Sequence, residues 1–164
     1  MAAFGGLTVM EISEDGNVKI RKANVSDETI DALNRNLLIF FTGITRSADD
    51  ILQEQSKGVA EERKEVIESM HYIKQLGHEI LEAVEDGEID EVGRLFHAHW
   101  QHKKKTSSKM SNERFDKIYD TAIEHGALGG KISGAGGGGF FTFYVSQNHK
   151  KFKETMKQLG LREM

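Results

Sequence analysis

The 164-residue chain has the composition of an ordinary globular domain, with 38% hydrophobic residues, 29% charged residues and a formal net charge of −4. This acidic balance argues against a protein that binds nucleic acid regardless of sequence, because such proteins usually present a basic surface. Cysteine is absent, which excludes disulfides, a thiolate nucleophile and cysteine-ligated zinc, and fits a reducing cytoplasm.

The N-terminal part of the chain is predicted to contain mainly strands. Alternating residues 7–13 and 18–25 flank the turn sequence EDGN, which predicts a β-hairpin. Ser26 begins SDETIDAL, a capping pattern that predicts a short helix. The apolar run at 37–43 predicts a central strand buried on both faces. It is far shorter than the ~20 residues that cross a bilayer, and the chain does not begin like a signal peptide, so we expect a soluble protein without a membrane partner.

From residue 47 to about 128 the pattern is helical. Ser47 is a candidate cap, and the first long helical stretch is predicted to break near Lys57 and Gly58. Gly87 is predicted to end the stretch, and Asp90 to cap the next helix, EVGRLFHAHWQHKKK.

The C-terminal part is predicted to be a helix, a loop, a strand and a helix. Ser111 or Asn112 begins a helix that ends at Gly126, and a glycine-rich loop follows. The strand FFTFYV and the helix NHKKFKETMKQLG complete the chain, and a further strand could begin at LREM. This order predicts one α+β domain over residues 1–164, with an antiparallel or mixed sheet.

The sequence GGKISGAGGGGFF, residues 129–141, is the strongest functional signal. A glycine loop can present backbone N–H groups to phosphate, or it can simply permit a tight turn or close packing. The run of four glycines after Gly134 and Ala135, with Lys131 just before, favours contact with phosphate or substrate. The candidates are Gly134, Ala135, Gly136, Gly137, Gly138 and Gly139. The loop is not a Walker A motif, because GxxxxGK[ST] does not occur in the sequence. It is not a dinucleotide fingerprint either, because it is predicted to follow a helix and precede a strand.

Two other segments carry charged candidates. Arg46, in TRSA, could bind a sugar phosphate or could pair with Asp49 or Asp50. The segment HAHWQHKKK does not predict a metal site, because His97 and His99 lie on different faces of a helix. Its tryptophan is expected to lie in the core, and Lys103 remains a possible substrate contact.

The sequence GALGGKISGAGGGGFFTFYV closely resembles the third conserved motif of the GHMP small-molecule kinases. The segments FTGITRSADDIL and HAHWQHKK look like the branch of sugar kinases typified by D-glycero-D-manno-heptose 7-phosphate kinases, although fucokinase-like members share much of this half. The resemblance implies a ferredoxin-like C-terminal domain, with an antiparallel sheet and helices on one face. It also implies, in the full-length enzyme, ATP-dependent and Mg²⁺-dependent phosphorylation of an anomeric hydroxyl, for heptose incorporation into surface polysaccharide or lipopolysaccharide.

The resemblance covers only the C-terminal half of such kinases. No serine-containing nucleotide loop is recognisable. In that branch of kinases, the segment that resembles AAFGG, here at residues 2–6, normally comes just after the aspartate that is expected as the base. We therefore expect no catalytic residue and no metal ligand on this chain, no kinase activity from the chain alone, and a partner N-terminal half in cis or in trans. Substrate contacts are expected from the glycine loop, Thr45, Arg46 and Lys103. The alternatives are half of a fucokinase-like or other GHMP sugar kinase, or a non-catalytic metabolite-binding module.

Overall fold

The computed structural model describes residues 5–45 and 48–164. The predicted hairpin is confirmed: β1 (Thr8–Ile12) and β2 (Val18–Lys22) pair antiparallel as a separate two-stranded sheet. Arg21 Nη1 lies 2.6 Å from Glu85 Oε1, and the Asn24 N–H donates to the same oxygen over 2.8 Å. These bonds tie the hairpin to the long helix that carries Glu85.

The first helix, α1 (Asp27–Asn36), begins as predicted, because the Ser26 hydroxyl accepts a hydrogen bond from the Thr29 N–H. The strand β3 (Leu37–Phe41) follows directly. Its predicted burial on both faces is wrong: Leu38 and Phe40 are buried, whereas Ile39 is 43% exposed. Successive side chains of a strand point to opposite faces, and the core covers only one face here.

Within the described residues 48–164, five further helices follow, and the predicted helical region is confirmed from Ala48 to Glu124, with short breaks between helices. Their bounds are α2 (Ala48–Ala60), α3 (Lys64–Glu85), α4 (Ile89–Lys104), α5 (Glu113–Glu124) and α6 (His149–Gln158). Asn112 caps α5 by accepting from the Phe115 N–H over 3.1 Å. No helix in the described ranges is long and apolar enough to cross a membrane.

Two predicted helix boundaries are wrong. The first helical stretch breaks after Ala60 rather than near Gly58, because helical hydrogen bonding runs past Gly58: the Glu61 N–H still donates to the Lys57 carbonyl over 2.9 Å. Asp90 lies inside the first turn of α4, where its carboxylate accepts a hydrogen bond from the Tyr144 hydroxyl over 2.8 Å. Ser47, the predicted cap of α2, lies outside the described residues.

The main sheet has four antiparallel strands in the order β4-β5-β3-β6, with β4 (Ala127–Ile132), β5 (Phe140–Val145) and β6 (Arg162–Glu163). The short β6 forms at the predicted LREM segment. Sequence reasoning missed β4, because the glycines at 129 and 130 suggested loop rather than strand. Both are required by packing: a Cβ on Gly129 would meet the backbone of α4, and one on Gly130 would meet the Phe143 ring.

The core lies on one face of this sheet. Alternate residues of β3 and β5 pack there against aromatic residues of α4, α5 and α6: Leu38, Phe40, Phe141, Phe143, Trp100, Phe115, Tyr119 and Phe152. The observed architecture is α+β with an antiparallel sheet, as predicted. At one end of the sheet, this architecture brings together three segments that are distant in sequence: the segment after β3, the end of α4 and the loop between β4 and β5.

Candidate functional site

The glycine loop, residues 133–139, joins β4 to β5, two neighbouring antiparallel strands. The predicted order of helix, loop and strand is therefore wrong at this point. Four of the loop's glycines have positive φ angles, namely Gly134 (+77°), Gly136 (+109°), Gly137 (+69°) and Gly139 (+86°). A residue with a Cβ rarely adopts this conformation, so the path of the loop depends on glycine.

The loop is fastened to the segment that follows β3. The Gly139 N–H donates to the Ile44 carbonyl over 2.7 Å, and the Thr42 N–H donates to the Gly139 carbonyl over 2.9 Å. A Cβ on Gly138 would lie only 2.8 Å from the Ile44 oxygen. The two segments thus pack backbone to backbone. The exposed Thr45 directly follows Ile44, the residue that contacts the glycine loop.

Part of the loop is used for packing, whereas other backbone N–H groups of the loop have no acceptor in the described part of the chain. The Gly137 N–H donates to the Met110 carbonyl over 3.0 Å, and a Cβ on Gly136 would meet the Met110 sulfur. By contrast, four N–H groups donate to no acceptor among the described residues: those of Gly134, Ala135, Gly136 and Gly138. The packing interpretation of the glycine sequence is therefore confirmed at Gly136, Gly137 and Gly138. Contact of the loop with phosphate or substrate stays a prediction. The predicted contact Arg46 lies outside the described residues.

Lys103, in the last turn of α4, meets the start of the glycine loop. Its Nζ donates to the Gly134 carbonyl over 2.5 Å and to the Ile132 carbonyl over 3.4 Å. Burial and the nearby charge of Lys131 lower the pKa of Lys103 to about 8. Two candidates 31 residues apart in sequence are therefore neighbours, and the lysine still carries its charge near neutral pH.

Lys131 is a site residue that sequence reasoning did not select. It lies on β4, and its Nζ sits 5.1 Å from the centre of the Phe96 ring. Burial lowers the pKa of Lys131 as well. The sequence signal for Lys131 was its place in a strand pattern, since its side chain points to the face opposite to that of Ile132. This signal is visible only when β4 is recognised as a strand.

Lys103 and Lys131 line one cavity of about 320 Å³, which we call the lysine cavity. Its other lining residues come from α2, α3, the end of α4, β4 and the loop: Gln55, Met70, Ile73, His99, Thr106, Ile132 and Gly134. Burial, with the charges of the two lysines, lowers the pKa of His99 to about 4, so its imidazole is neutral at pH 7. The cavity is therefore a positively charged space that opens beside the glycine loop.

The order of these elements can be compared with known proteins. Residues 80–160, which include α4, β4, the glycine loop and β5, match the family model described as GHMP kinases C terminal. This part of the chain belongs to that family. The resemblance stated from the glycine motif is thus confirmed.

Two curated relatives and one solved structure illustrate the similarity. D-glycero-alpha-D-manno-heptose 7-phosphate kinase of Campylobacter jejuni is 35% identical over 91% of this chain and 43% of its own length. The bifunctional fucokinase/GDP-fucose pyrophosphorylase of Arabidopsis thaliana is 30% identical over 82% of this chain and 12% of its own. The crystal structure of L. major mevalonate kinase with R-mevalonate matches with a TM-score of 0.75, at 18% identity, over 95% of this chain and 44% of that one. The chain spans less than half the length of these proteins.

The histidine-rich helix of this GHMP kinase domain is mainly structural. Trp100 is fully buried in the core, as expected, and His97 Nδ1 lies 3.0 Å from the Tyr119 hydroxyl. Lys104 forms an ion pair with Asp116 over 3.2 Å. Within residues 5–45 and 48–164, no three histidine or acidic side chains cluster in a way that could hold a metal ion.

The lowered pKa of Lys103 predicts how stability depends on pH in the GHMP domain. Between the native pKa of about 8 and the ordinary value of 10.5, the unfolded chain binds more protons at this site than the native chain does. The free energy of unfolding should therefore rise with pH across this window. In urea titrations, we expect a steeper rise for the wild-type chain than for Lys103→Met.

Lys150→Met is the matched control, because Lys150 is an exposed lysine on α6. It should retain the wild-type slope. Equal slopes for Lys103→Met and wild type would mean that Lys103 is not buried beside a second positive charge.

Proposed function

We propose that this chain is the C-terminal half of an ATP-dependent sugar kinase that phosphorylates the anomeric hydroxyl of D-glycero-D-manno-heptose 7-phosphate. The observation that carries the proposal is the contact of Lys103 with a glycine loop that has four unpaired N–H groups. A cationic donor and unpaired backbone N–H donors in one loop region suit a phosphorylated substrate. The 35% identity to a kinase named for this heptose phosphate supports the choice of sugar.

Phosphoryl transfer depends on positioning and on stabilisation of negative charge. In the proposed enzyme, phosphate oxygens bind to the free N–H groups of Gly134, Ala135, Gly136 and Gly138. Thr45, Arg46 and Lys103 contact the sugar phosphate. The N-terminal half supplies the nucleotide loop and the base that deprotonates the attacking hydroxyl. The described residues contain no acidic cluster suited to Mg²⁺, so we assign no step of the reaction to a metal held by this chain. The product would enter nucleotide-activated heptose for surface polysaccharide or lipopolysaccharide, in the cytoplasm where ATP is available.

A second candidate is half of a fucokinase-like enzyme, favoured by the 30% identity to the Arabidopsis fucokinase. L-fucose carries no phosphate, so such an enzyme has no use for a half-buried pair of lysines. The lysine cavity therefore favours the phosphorylated heptose.

An activity panel tests the proposal. The 164-residue chain alone should transfer no phosphate from ATP to any sugar. The polypeptide that contains it in its source cells should migrate at roughly twice 18.4 kDa on an immunoblot, since the chain covers 43% of the Campylobacter relative. That polypeptide should phosphorylate heptose 7-phosphate and leave L-fucose unmodified. Activity on L-fucose alone would overturn the choice of sugar, and kinase activity of the isolated chain would overturn its assignment as a half enzyme.

A further inference from the structure

Two ammonium groups share the lysine cavity without a counter-ion. Taken over the described residues, the lining of the cavity contains no aspartate or glutamate. Lys131 Nζ makes no hydrogen bond or ion pair with a described residue, and its one charge-related contact is the Phe96 ring. Burying like charges together is unfavourable unless something compensates them. The arrangement therefore indicates a site for a ligand with negative charge.

The positions of the polar groups further restrict this ligand. Two backbone carbonyls fix Lys103 Nζ at the start of the glycine loop, and an ammonium has one donor left for a ligand. Gln55 Nε2 donates to the Thr106 hydroxyl over 2.7 Å, which leaves the Gln55 carbonyl oxygen open. The buried Nδ1 of His99 has no partner. The cavity thus offers two cations and neutral polar groups beside them.

We propose that the lysine cavity binds the phosphate monoester that the sugar substrate already carries, with Lys103 and Lys131 pairing with its oxygens. This inference rests on the proposed function, and it assigns a pocket to the phosphate that is not transferred. A phosphate monoester carries about −1.5 to −2 charges at pH 7 and so matches two ammonium groups, whereas a carboxylate matches one. Gly134 belongs to the glycine loop and also lines the cavity. A phosphate held in the cavity therefore directs the rest of the sugar toward the free N–H groups of the loop.

Calorimetry on the 164-residue chain tests this site, because every lining residue belongs to the chain. The probes are inorganic phosphate, a sugar phosphate, the same sugar without phosphate, and ATP. We expect the sugar phosphate to bind, inorganic phosphate to compete with it, and the free sugar not to bind. Lys131→Met should weaken binding of the sugar phosphate about tenfold or more, equivalent to about 1.4 kcal/mol. Lys150→Met, on the exposed surface of α6, should bind like the wild type.

Two further readouts keep the test independent of folding and of kinase activity. Lys131→Met should melt at the same temperature as the wild type or higher, because it removes a buried charge. The imidazole C–H resonances of His99 should shift when the sugar phosphate is added, and those of the exposed His125 should not. No binding at millimolar sugar phosphate, unchanged binding in Lys131→Met, or ATP as the preferred ligand would each overturn the site. None of these results bears on whether the full-length enzyme is a kinase.

Discussion

Replacing Gly129 with alanine is expected to destabilise the domain by about 3 kcal/mol or more, at or beyond the upper end of the usual cost of overpacking. A Cβ at this position would meet the Gly93 carbonyl oxygen and would lie 2.5 Å from the His97 nitrogen. Both atoms belong to the backbone of α4, so no side-chain rotation can make room. Urea unfolding of the purified variant, followed by circular dichroism, measures the loss.

Gly77→Ala is the matched control. Gly77 lies inside α3, and a Cβ there would meet nothing within 4 Å. This substitution should stabilise the chain by about 0.5–1 kcal/mol, the usual difference between alanine and glycine in a helix. If Gly129→Ala were as stable as the wild type, β4 could not pack against α4 as closely as described.

If the chain is half of the proposed kinase, Gly138→Ala is expected to lower kcat/KM of that full-length enzyme about 100-fold. The added Cβ would lie 2.8 Å from the Ile44 oxygen and would push the glycine loop away from the segment that leads to Thr45. Displacing catalytic groups by about 1 Å can cost this factor, because phosphoryl transfer depends on the positions of the donors. Steady-state assays with ATP and the sugar phosphate measure the change.

The corresponding Gly77→Ala kinase should keep the wild-type rate, since α3 carries Gly77 at a position with open space around it. Circular dichroism should confirm that Gly138→Ala remains folded at the assay temperature. A folded Gly138→Ala enzyme with wild-type kcat/KM would show that the close approach of the two loops has no role in catalysis.

Local signals in the sequence were sufficient to predict much of this fold. The hairpin follows from a turn between two alternating segments, and α1 follows from the Ser26 cap, because both depend on neighbouring residues only. The strands β3 and β5 were each predicted because both segments are rich in apolar residues, whereas their pairing is known only from the structure. The resemblance to GHMP kinases then predicted that these elements together form the C-terminal domain of that family.

Long-range packing could not be predicted in the same way. Gly129 and Gly130 suggested a loop, since glycine is unfavourable in strands, yet α4 and Phe143 require them in β4. The lysine cavity depends on the same strand, because only β4 brings Lys131 beside Lys103. Nothing between these lysines in sequence indicates that they share one space. The glycine motif therefore predicted the position of a candidate binding site. The positive charge of that site comes from Lys103 and Lys131, which become neighbours only because α4 packs against β4.

The most direct test of the central claim is ³¹P NMR of the reaction catalysed by the polypeptide that contains this chain in its source cells. With ATP and D-glycero-D-manno-heptose 7-phosphate, we predict ADP and a second phosphate resonance coupled to the anomeric proton, while the original 7-phosphate signal persists. A folded polypeptide that leaves ATP and heptose 7-phosphate unchanged would contradict the assignment of this chain to a heptose-phosphate kinase. This holds whether the polypeptide phosphorylates a different sugar or none.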